Sequence, residues 1–197
     1  MLKHKKNTTE VEPQIENKRE WFEVEDNQEA LKEIKIRFPV FNREGLEDEL
    51  SSFIFLYLKY INNDINEIFK CVKCTSNVKN YIEQKKINLN RSIYFDRLTF
   101  LSMGISNFIC FDDYSIIRIK LFLSSEDNKS VKIYNTKIPI TQKHIYEIDY
   151  KILTKEYLFI CGKCNLTTIN KEKCVCGGDI KKYNKKIISD FKVLKEI

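Results

Sequence analysis

The stretch Cys161-Gly-Lys-Cys-Asn-Leu-Thr-Thr-Ile-Asn-Lys-Glu-Lys-Cys-Val-Cys-Gly-Gly178 decides how the last part of this 197-residue chain folds. It holds four of the seven cysteines, as a C-x-x-C pair and a C-x-C pair that nine residues separate. Zn²⁺ takes four ligands at tetrahedral angles, and four cysteine thiolates at about 2.3 Å leave no position for water. The pattern predicts one structural zinc ion. Its expected ligands are Cys161, Cys164, Cys174 and Cys176.

Glycines accompany both cysteine pairs and allow the tight turns that the pairs need. Gly162 lies inside the first pair, and Gly177 and Gly178 follow the second. The C-x-C pair must bring both sulfur atoms to one side of an alternating backbone, and we expect the two glycines after it to supply the bend. The nine residues between the pairs suit a hairpin. We therefore predict a zinc ribbon over residues 157–184.

Two other interpretations of this cluster stay open. The four cysteines could be reduced, partly buried thiols without a metal. A redox role for Cys161 and Cys164 is the other, but a thioredoxin-like C-x-x-C needs a βαβ context that this sequence does not predict. A closed set of four sulfur ligands also argues against catalysis at the metal.

A second C-x-x-C lies at Cys71 and Cys74, without a matching pair after it. Cys110 and His144 would have to complete a second zinc site through the tertiary fold. Small buried hydrophobic side chains are the competing interpretation of these cysteines, and we favour it.

The sequence before residue 111 has mainly helical patterning. Residues 1–20 are polar and lack periodicity, which predicts a disordered tail. Apolar residues at i, i+3, i+4 and i+7 predict helices. The expected helices are 26–36, 44–61 and 64–72, with a further one within 93–108. We therefore predict a helical subdomain over 21–110.

The sequence from residue 111 onward has strand patterning, with alternating and β-branched residues. The expected strands are 114–123, 131–138, 144–153, 155–160 and 187–197, with a turn at 124–128. Helices followed by strands predict an α+β fold, in which a helical part packs against an antiparallel barrel or sheet. The β-rich domain is expected over 111–197.

Charge is distributed unevenly along the chain, whose net charge is +6. Residues 1–50 have a net charge of −4, whereas residues 151–197 have eleven lysines, five acidic residues and a net charge of +6. Lysines among aromatic residues can pair with phosphates and offer rings for base stacking. A solvated lysine-rich face is the competing interpretation. The residues that we expect to bind nucleic acid are Lys173, Lys181, Lys182, Tyr183, Lys185 and Lys186.

Catalytic motifs are missing from the sequence. It contains two histidines and five glycines, and no G-x-S-x-G, H-E-x-x-H or phosphate-binding G-x-x-x-x-G-K-[ST]. We therefore expect no enzyme. One alternative is a Mg²⁺-dependent nuclease site, in which Asp112 or Asp113 joins the segment Asp149-Tyr150-Lys151.

The expected location is intracellular, in the cytoplasm or the nucleus. No apolar run approaches the roughly 18 residues of a membrane span, and no apolar stretch follows the basic start of the chain. We expect neither a membrane partner nor a secretion signal.

The order of parts resembles a known family. Predicted strands at 131–138 and 155–160 lead into the first cysteine pair, and Ile187-Ile-Ser-Asp-Phe-Lys-Val-Leu-Lys-Glu196 follows the second. This order resembles the N-terminal region of the minichromosome-maintenance (MCM) replicative helicases, where a zinc ribbon interrupts an OB-fold behind a helical subdomain. The resemblance implies that the β-rich domain is OB-like and that the protein acts in DNA replication.

Short motifs carry this resemblance. In the family the ribbon returns to a strand of the form F-x-D-[FW]-x-x-[IV]-x-x-Q-E, and Asp190, Phe191, Val193 and Glu196 stand at comparable places. The C-x-C pair and the missing ATPase motifs depart from the family. Only the zinc ligands are carried over.

Together these observations predict a non-catalytic zinc-ribbon protein that binds nucleic acid, DNA rather than RNA. It resembles the N-terminal module of a replicative helicase without the motor. The first alternative is an interaction subunit, in which the ribbon docks protein subunits of a transcription or replication complex. The nuclease is the second alternative.

Overall fold

The computed structural model describes residues 24–63, 73–88, 95–133, 136–168 and 173–196. The expected tail at 1–20, the helix expected over 64–72 and Cys71 lie outside the described residues. Within them the chain forms three helices and a five-stranded antiparallel sheet, which confirms the α+β class. In order, the elements are α1 (Gln28–Arg37), α2 (Arg43–Asn63), α3 (Ser76–Asn88), β1 (Phe95–Cys110), β2 (Tyr114–Ile133), β3 (Thr136–Cys161), β4 (Thr167–Thr168) and β5 (Ile180–Glu196).

The first two helices form where the sequence predicts them. Asn27 caps α1, because its side-chain oxygen accepts hydrogen bonds from the backbone N–H groups of Glu29 and Ala30 at 3.0 and 3.2 Å. Helix α3 was not predicted. Its fully buried apolar residues are Val78 and Ile82, and one i, i+4 pair is too short a repeat to indicate a helix. No described helix is both long and apolar enough to cross a membrane.

The sheet has the order β1-β2-β3-β5, and β4 pairs beside the end of β3. Neighbouring strands are antiparallel and follow each other closely in sequence: Cys110 pairs with Ser115, and Ile133 pairs with Thr136. Within the described ranges β1 and β5 do not pair, so the sheet is open between these edges.

The helix expected within 93–108 is wrong, because Phe95–Cys110 is strand β1. Its register against β2 shifts at three places, among them Phe100/Ser102 and Ile105/Asn107. Each irregularity interrupts the two-residue alternation by which a strand is recognised in a sequence. Strand structure therefore starts well before residue 111.

The turn expected at 124–128 is also wrong, because strand β2 continues through it. Ser124 pairs with Thr99 on one side and Lys143 on the other, and Ser125 is buried. A run of polar residues in a sequence indicates a turn, but here the backbone of the run pairs with the neighbouring strands β1 and β3. The strand expected at 131–138 is divided between β2 and β3, because Ile133 at the end of β2 pairs with Thr136 at the start of β3. The strands expected at 144–153 and 155–160 both belong to the single strand β3.

The helices cover one face of the sheet and bury its apolar residues. Phe191 of β5 lies at the centre of this core, because four aromatic rings surround it with centroids 5.1–5.4 Å away. These rings belong to Phe53, Tyr57, Tyr81 and Tyr146. One aromatic cluster therefore joins α2, α3, β3 and β5.

The other face of the sheet has a charged centre. Arg118 donates two hydrogen bonds to the carboxylate of Asp149, at 2.8 and 3.0 Å, and lies 3.6 Å from Glu147. Asp190 is opposite Asp149 in the register and pairs with Lys192 at 2.8 Å. We call this surface the open face.

Candidate metal centre and the basic surface beside it

The four clustered cysteines lie where the β3–β5 ladder ends. Strand β3 stops at Cys161, which pairs with Ile180 at the start of β5, and the N–H of Gly162 donates to the carbonyl of Asp179 at 2.8 Å. Strand β4 pairs with Phe159 and Ile160 on the other side of β3. The cluster is therefore attached to the sheet through regular strand pairing.

Each cysteine pair lies in its own tight turn. In the first, the N–H of Asn165 donates to the carbonyl of Cys161 at 3.0 Å, and Asn165 has a φ of 55°. In the second, the N–H of Gly177 donates to the carbonyl of Cys174 at 2.8 Å, and Gly177 has a φ of 75°. Both turns use a left-handed residue, which Asn and Gly adopt most readily.

The four sulfur atoms converge, and all lie within 4.8 Å of one another. The Sγ–Sγ distance is 3.5 Å between Cys161 and Cys176 and 3.5 Å between Cys164 and Cys174. Sulfurs bound to one tetrahedral zinc at about 2.3 Å are about 3.8 Å apart, whereas a disulfide bond is about 2.05 Å long. The spacing fits four ligands of a single metal ion.

Gly178 sits against this cluster, and its missing side chain leaves room for the sulfur atoms. A Cβ at this position would lie 2.6 Å from the Sγ of Cys161 and 2.6 Å from the Cβ of Lys163. Van der Waals contacts of carbon are about 3.5–4.0 Å, so no larger residue fits without a shift. This close approach is the physical reason for a glycine after the C-x-C pair.

The thiols differ in acidity. Backbone N–H groups of Cys164 and Lys163 lower the pKa of Cys161 to about 6, and the Lys163 N–H lies 3.3 Å from its Sγ. The backbone of Gly178 lowers the pKa of Cys176, but the neighbouring Cys164 and Cys161 outweigh this effect and raise it to about 12. Four adjacent thiolates therefore need a cation among them.

The lysines expected to form one surface lie on both faces of β5, because a strand alternates its side chains. Lys182 lies on one face, with its Nζ 3.5 Å from the centre of the Tyr157 ring. Lys181, Tyr183 and Lys185 lie on the open face, and Lys185 pairs with Glu156 at 2.6 Å.

Two further lysines of the expected set differ in exposure. Lys173 is exposed beside the second cysteine pair. Lys186 is half-buried on the helix-covered side, where burial lowers its pKa and the nearby carboxylate of Glu49 partly opposes that shift. Lys186 is therefore less available to a phosphate backbone than the exposed Lys173 and Lys181.

The residues proposed for a nuclease do not come together. Asp149 uses both carboxylate oxygens to bind Arg118, and Tyr150 points to the other face, where its hydroxyl donates to Glu49. The turn with Asp112 and Asp113 lies about four residue rows from Asp149, about 13 Å at strand spacing. Asp113 pairs with Lys155.

The second zinc site is likewise not assembled in the described part. Cys74 is half-buried and forms an isolated backbone bridge with Ile188, while Cys110 is exposed beside Ser115. His144 is buried, with its Nε2 2.7 Å from the hydroxyl of Ser125. Among the described residues, the four-cysteine cluster is the one group of three or more such ligands close enough to share an ion.

An aromatic pair at the β1–β2 turn was not singled out from the sequence. The rings of Phe111 and Tyr114 stack with centroids 4.5 Å apart, and the Nζ of Lys151 lies 3.8 Å from the centre of the Tyr114 ring. The sequence feature that could have indicated this pair is the presence of an aromatic residue on each side of the Asp112-Asp113 turn.

Comparison with known proteins adds no relative: no protein-family model, no curated protein and no solved structure matches this chain. The function is therefore inferred from this chain's own residues.

Proposed function

We propose that this protein binds nucleic acid through a zinc ribbon, a small lysine-rich unit that a structural metal ion holds at the end of the sheet. The convergence of four cysteine sulfurs within 4.8 Å carries the proposal. Thiolates select zinc over magnesium or calcium, and a site with four of them is closed to substrate. The ion would hold the two turns together rather than take part in a reaction.

The charge of the ribbon supports nucleic acid as the ligand. Residues 157–184 contain five lysines and two acidic residues. Lys163, Lys173 and Lys181 are exposed and make no ion pair within the described ranges. Zn²⁺ with four thiolates carries a charge of −2, which offsets part of the local surplus of positive charge. Contact with a phosphate backbone therefore depends on the positions of these three lysines. Tyr183 lies exposed beside them and offers a ring for stacking.

The likeness to MCM helicases contributes less to this proposal than the cysteines do. The likeness is supported by the order of parts, in which a cysteine cluster of zinc-ribbon type follows a helical part and a run of strands. An OB-like barrel would need the sheet edges to close, and the open order of the described strands gives it no support. We propose DNA as the ligand and a role in replication on the strength of that order of parts alone.

The proposal is tested by binding a fluorescent oligonucleotide at several salt concentrations. Reversing three ribbon lysines, in Lys163→Glu/Lys173→Glu/Lys181→Glu, should weaken binding more than tenfold and flatten the dependence of log K on log salt by about 0.7–0.9 per lost phosphate contact. The control is Lys32→Glu/Lys35→Glu, which reverses two exposed lysines of α1. Equal losses in both variants, or binding that ignores salt, would refute the proposal.

Docking of a protein is the second candidate, and two apolar side chains at the tip of the ribbon favour it. Val175 is fully exposed between two cysteines, and Leu166 is 63% exposed after the first pair. If docking is the function, Val175→Asp/Leu166→Asp removes partner binding in nuclease-treated extract. Under this second candidate function, the wild-type chain should bind no oligonucleotide.

A further inference from the structure

We propose that Phe111 and Tyr114 form a second contact site for nucleic acid, one that selects single strands, a proposal that rests on the function proposed above. The site lies on the open face beside the base of the ribbon. Its ligand is a single-stranded nucleic acid, whose unpaired bases can stack on protein rings.

The outer ring of the pair is available for stacking. Tyr114 has Phe111 stacked against its ring and the Nζ of Lys151 above it, so both of its faces are occupied. Phe111 is 43% exposed. A base that stacks on Phe111 would extend the existing stack of Phe111 on Tyr114.

Hydrogen bonds hold this turn in place. Arg37 donates to the carbonyl of Phe111 at 3.1 Å, and the backbone of Thr154 donates to the carbonyl of Asp113 at 2.9 Å. The hydroxyl of Thr154 donates to the carbonyl of Asp112 at 3.1 Å. A ring fixed in advance loses little conformational freedom on binding, which favours affinity.

The site continues the surface of the ribbon. Tyr114 pairs with Leu153, and Lys151 pairs with Ile187 of β5 on the same face. Lys185 and Tyr183 follow on that face at alternate positions. With strands about 4.8 Å apart and about 3.3 Å of rise per residue, Tyr183 lies roughly 10–15 Å from Tyr114. A few unstacked nucleotides can span this distance.

Charge limits the path on the other side. Beyond Lys151 the open face carries Glu147, Asp149 and Asp190 beside Arg118, Lys120 and Lys192, so its acidic and basic groups balance. A surface whose charges balance attracts phosphates less than the exposed lysines of the ribbon do, so we expect the strand to follow the ribbon end of the sheet. A rigid duplex keeps its bases stacked inside and cannot use Phe111.

The test compares a labelled single-stranded oligothymidylate of about 15 nucleotides with a duplex of the same length, by fluorescence anisotropy. Phe111→Ala should weaken single-strand binding about ten- to hundredfold, leave duplex binding and the salt dependence unchanged, and be rescued by Phe111→Tyr. The control is Phe55→Ala, because Phe55 is 56% exposed on α2 with Lys59 over its ring.

A second readout reports stacking directly. In Trp21→Phe/Phe111→Trp the only tryptophan lies at the site, and single strands should quench its emission. Absent quenching, or equal affinity of wild type and Phe111→Ala for the single strand, overturns the inference. If the ribbon charge reversal still weakens binding more than tenfold, the proposed function stands. If the wild-type protein binds neither probe, both proposals are overturned.

Discussion

Cys161 is the expected metal ligand that also belongs to the sheet, because it pairs with Ile180 at the end of β3. It is fully buried at the end of β3, where its sulfur accepts a hydrogen bond from the N–H of Lys163, and backbone N–H groups lower its pKa to about 6. Cys161→Ser should abolish stoichiometric zinc, which elemental analysis measures, and expose the chain between the two cysteine pairs to protease. Cys110→Ser, which changes an exposed thiol outside the cluster, should keep both properties. Zinc retained by the first variant would contradict the four-sulfur site.

Gly178 tests the packing of the metal centre without changing a ligand. In Gly178→Ala the new Cβ would lie 2.6 Å from the Sγ of Cys161, so the second turn must shift and zinc affinity should fall at least tenfold in competition with a chelator. The matched control is Gly162→Ala, whose Cβ would have its nearest neighbours at 3.6 Å. Equal zinc affinities in the two variants would contradict this prediction and show that the second turn can shift without weakening metal binding.

At the residue scale, the sequence predicts the ligand set better than the lysine surface. Cysteine spacing reflects local turns, so four sulfur atoms within 4.8 Å could be anticipated from it. The face on which a lysine lies depends on the strand register, which the sequence did not provide. Lys182 and Lys186 therefore lie away from Lys181, although all were expected in one surface.

Helix α2 packs its buried face against the sheet. Phe53 is fully buried, with its ring centroid 5.4 Å from that of Phe191, whereas Phe55 lies exposed two positions later. Phe53→Ala should lower the free energy of unfolding by about 3–5 kcal/mol because it leaves a cavity in the core. Phe55→Ala should change it by less than about 0.5 kcal/mol. Urea denaturation measures both, and equal losses would mean that α2 does not pack as described.

Elements were predictable where their period is unbroken. Helix α2 shows many repeats of its apolar spacing and was predicted almost to its ends, whereas α3 buries only one clear i, i+4 pair and was missed. Strand β1 changes register three times, so its sequence never shows a sustained alternation. Irregular pairing, which tertiary contacts stabilise, is invisible to a search for periodicity.

At the scale of the whole molecule, the cysteine cluster and the apolar core are separate. The buried apolar core consists of residues from the helices and the body of the sheet, and it includes neither Cys161 nor Cys174. The sequence predicts a separate zinc ribbon at the end of the chain, but not that β3 and β5 run from the core into it as single strands, with a register shift in their pairing between Ile152 and Tyr157. Continuous strands connect the two parts mechanically, while separate contacts stabilise each of them.

Removal of the metal should therefore unfold one end of the protein and leave the other folded. After treatment with a thiol reductant and a strong chelator, we expect rapid proteolysis between Cys161 and Ile180 and loss of nucleic-acid binding. The rings around Phe191 should keep their near-ultraviolet circular dichroism, because the core they form does not include the cysteine cluster. Added zinc should restore binding, whereas added magnesium should not, because thiolates bind Mg²⁺ poorly. Cooperative unfolding of the whole chain on chelation would show instead that the metal centre and the core form a single folding unit.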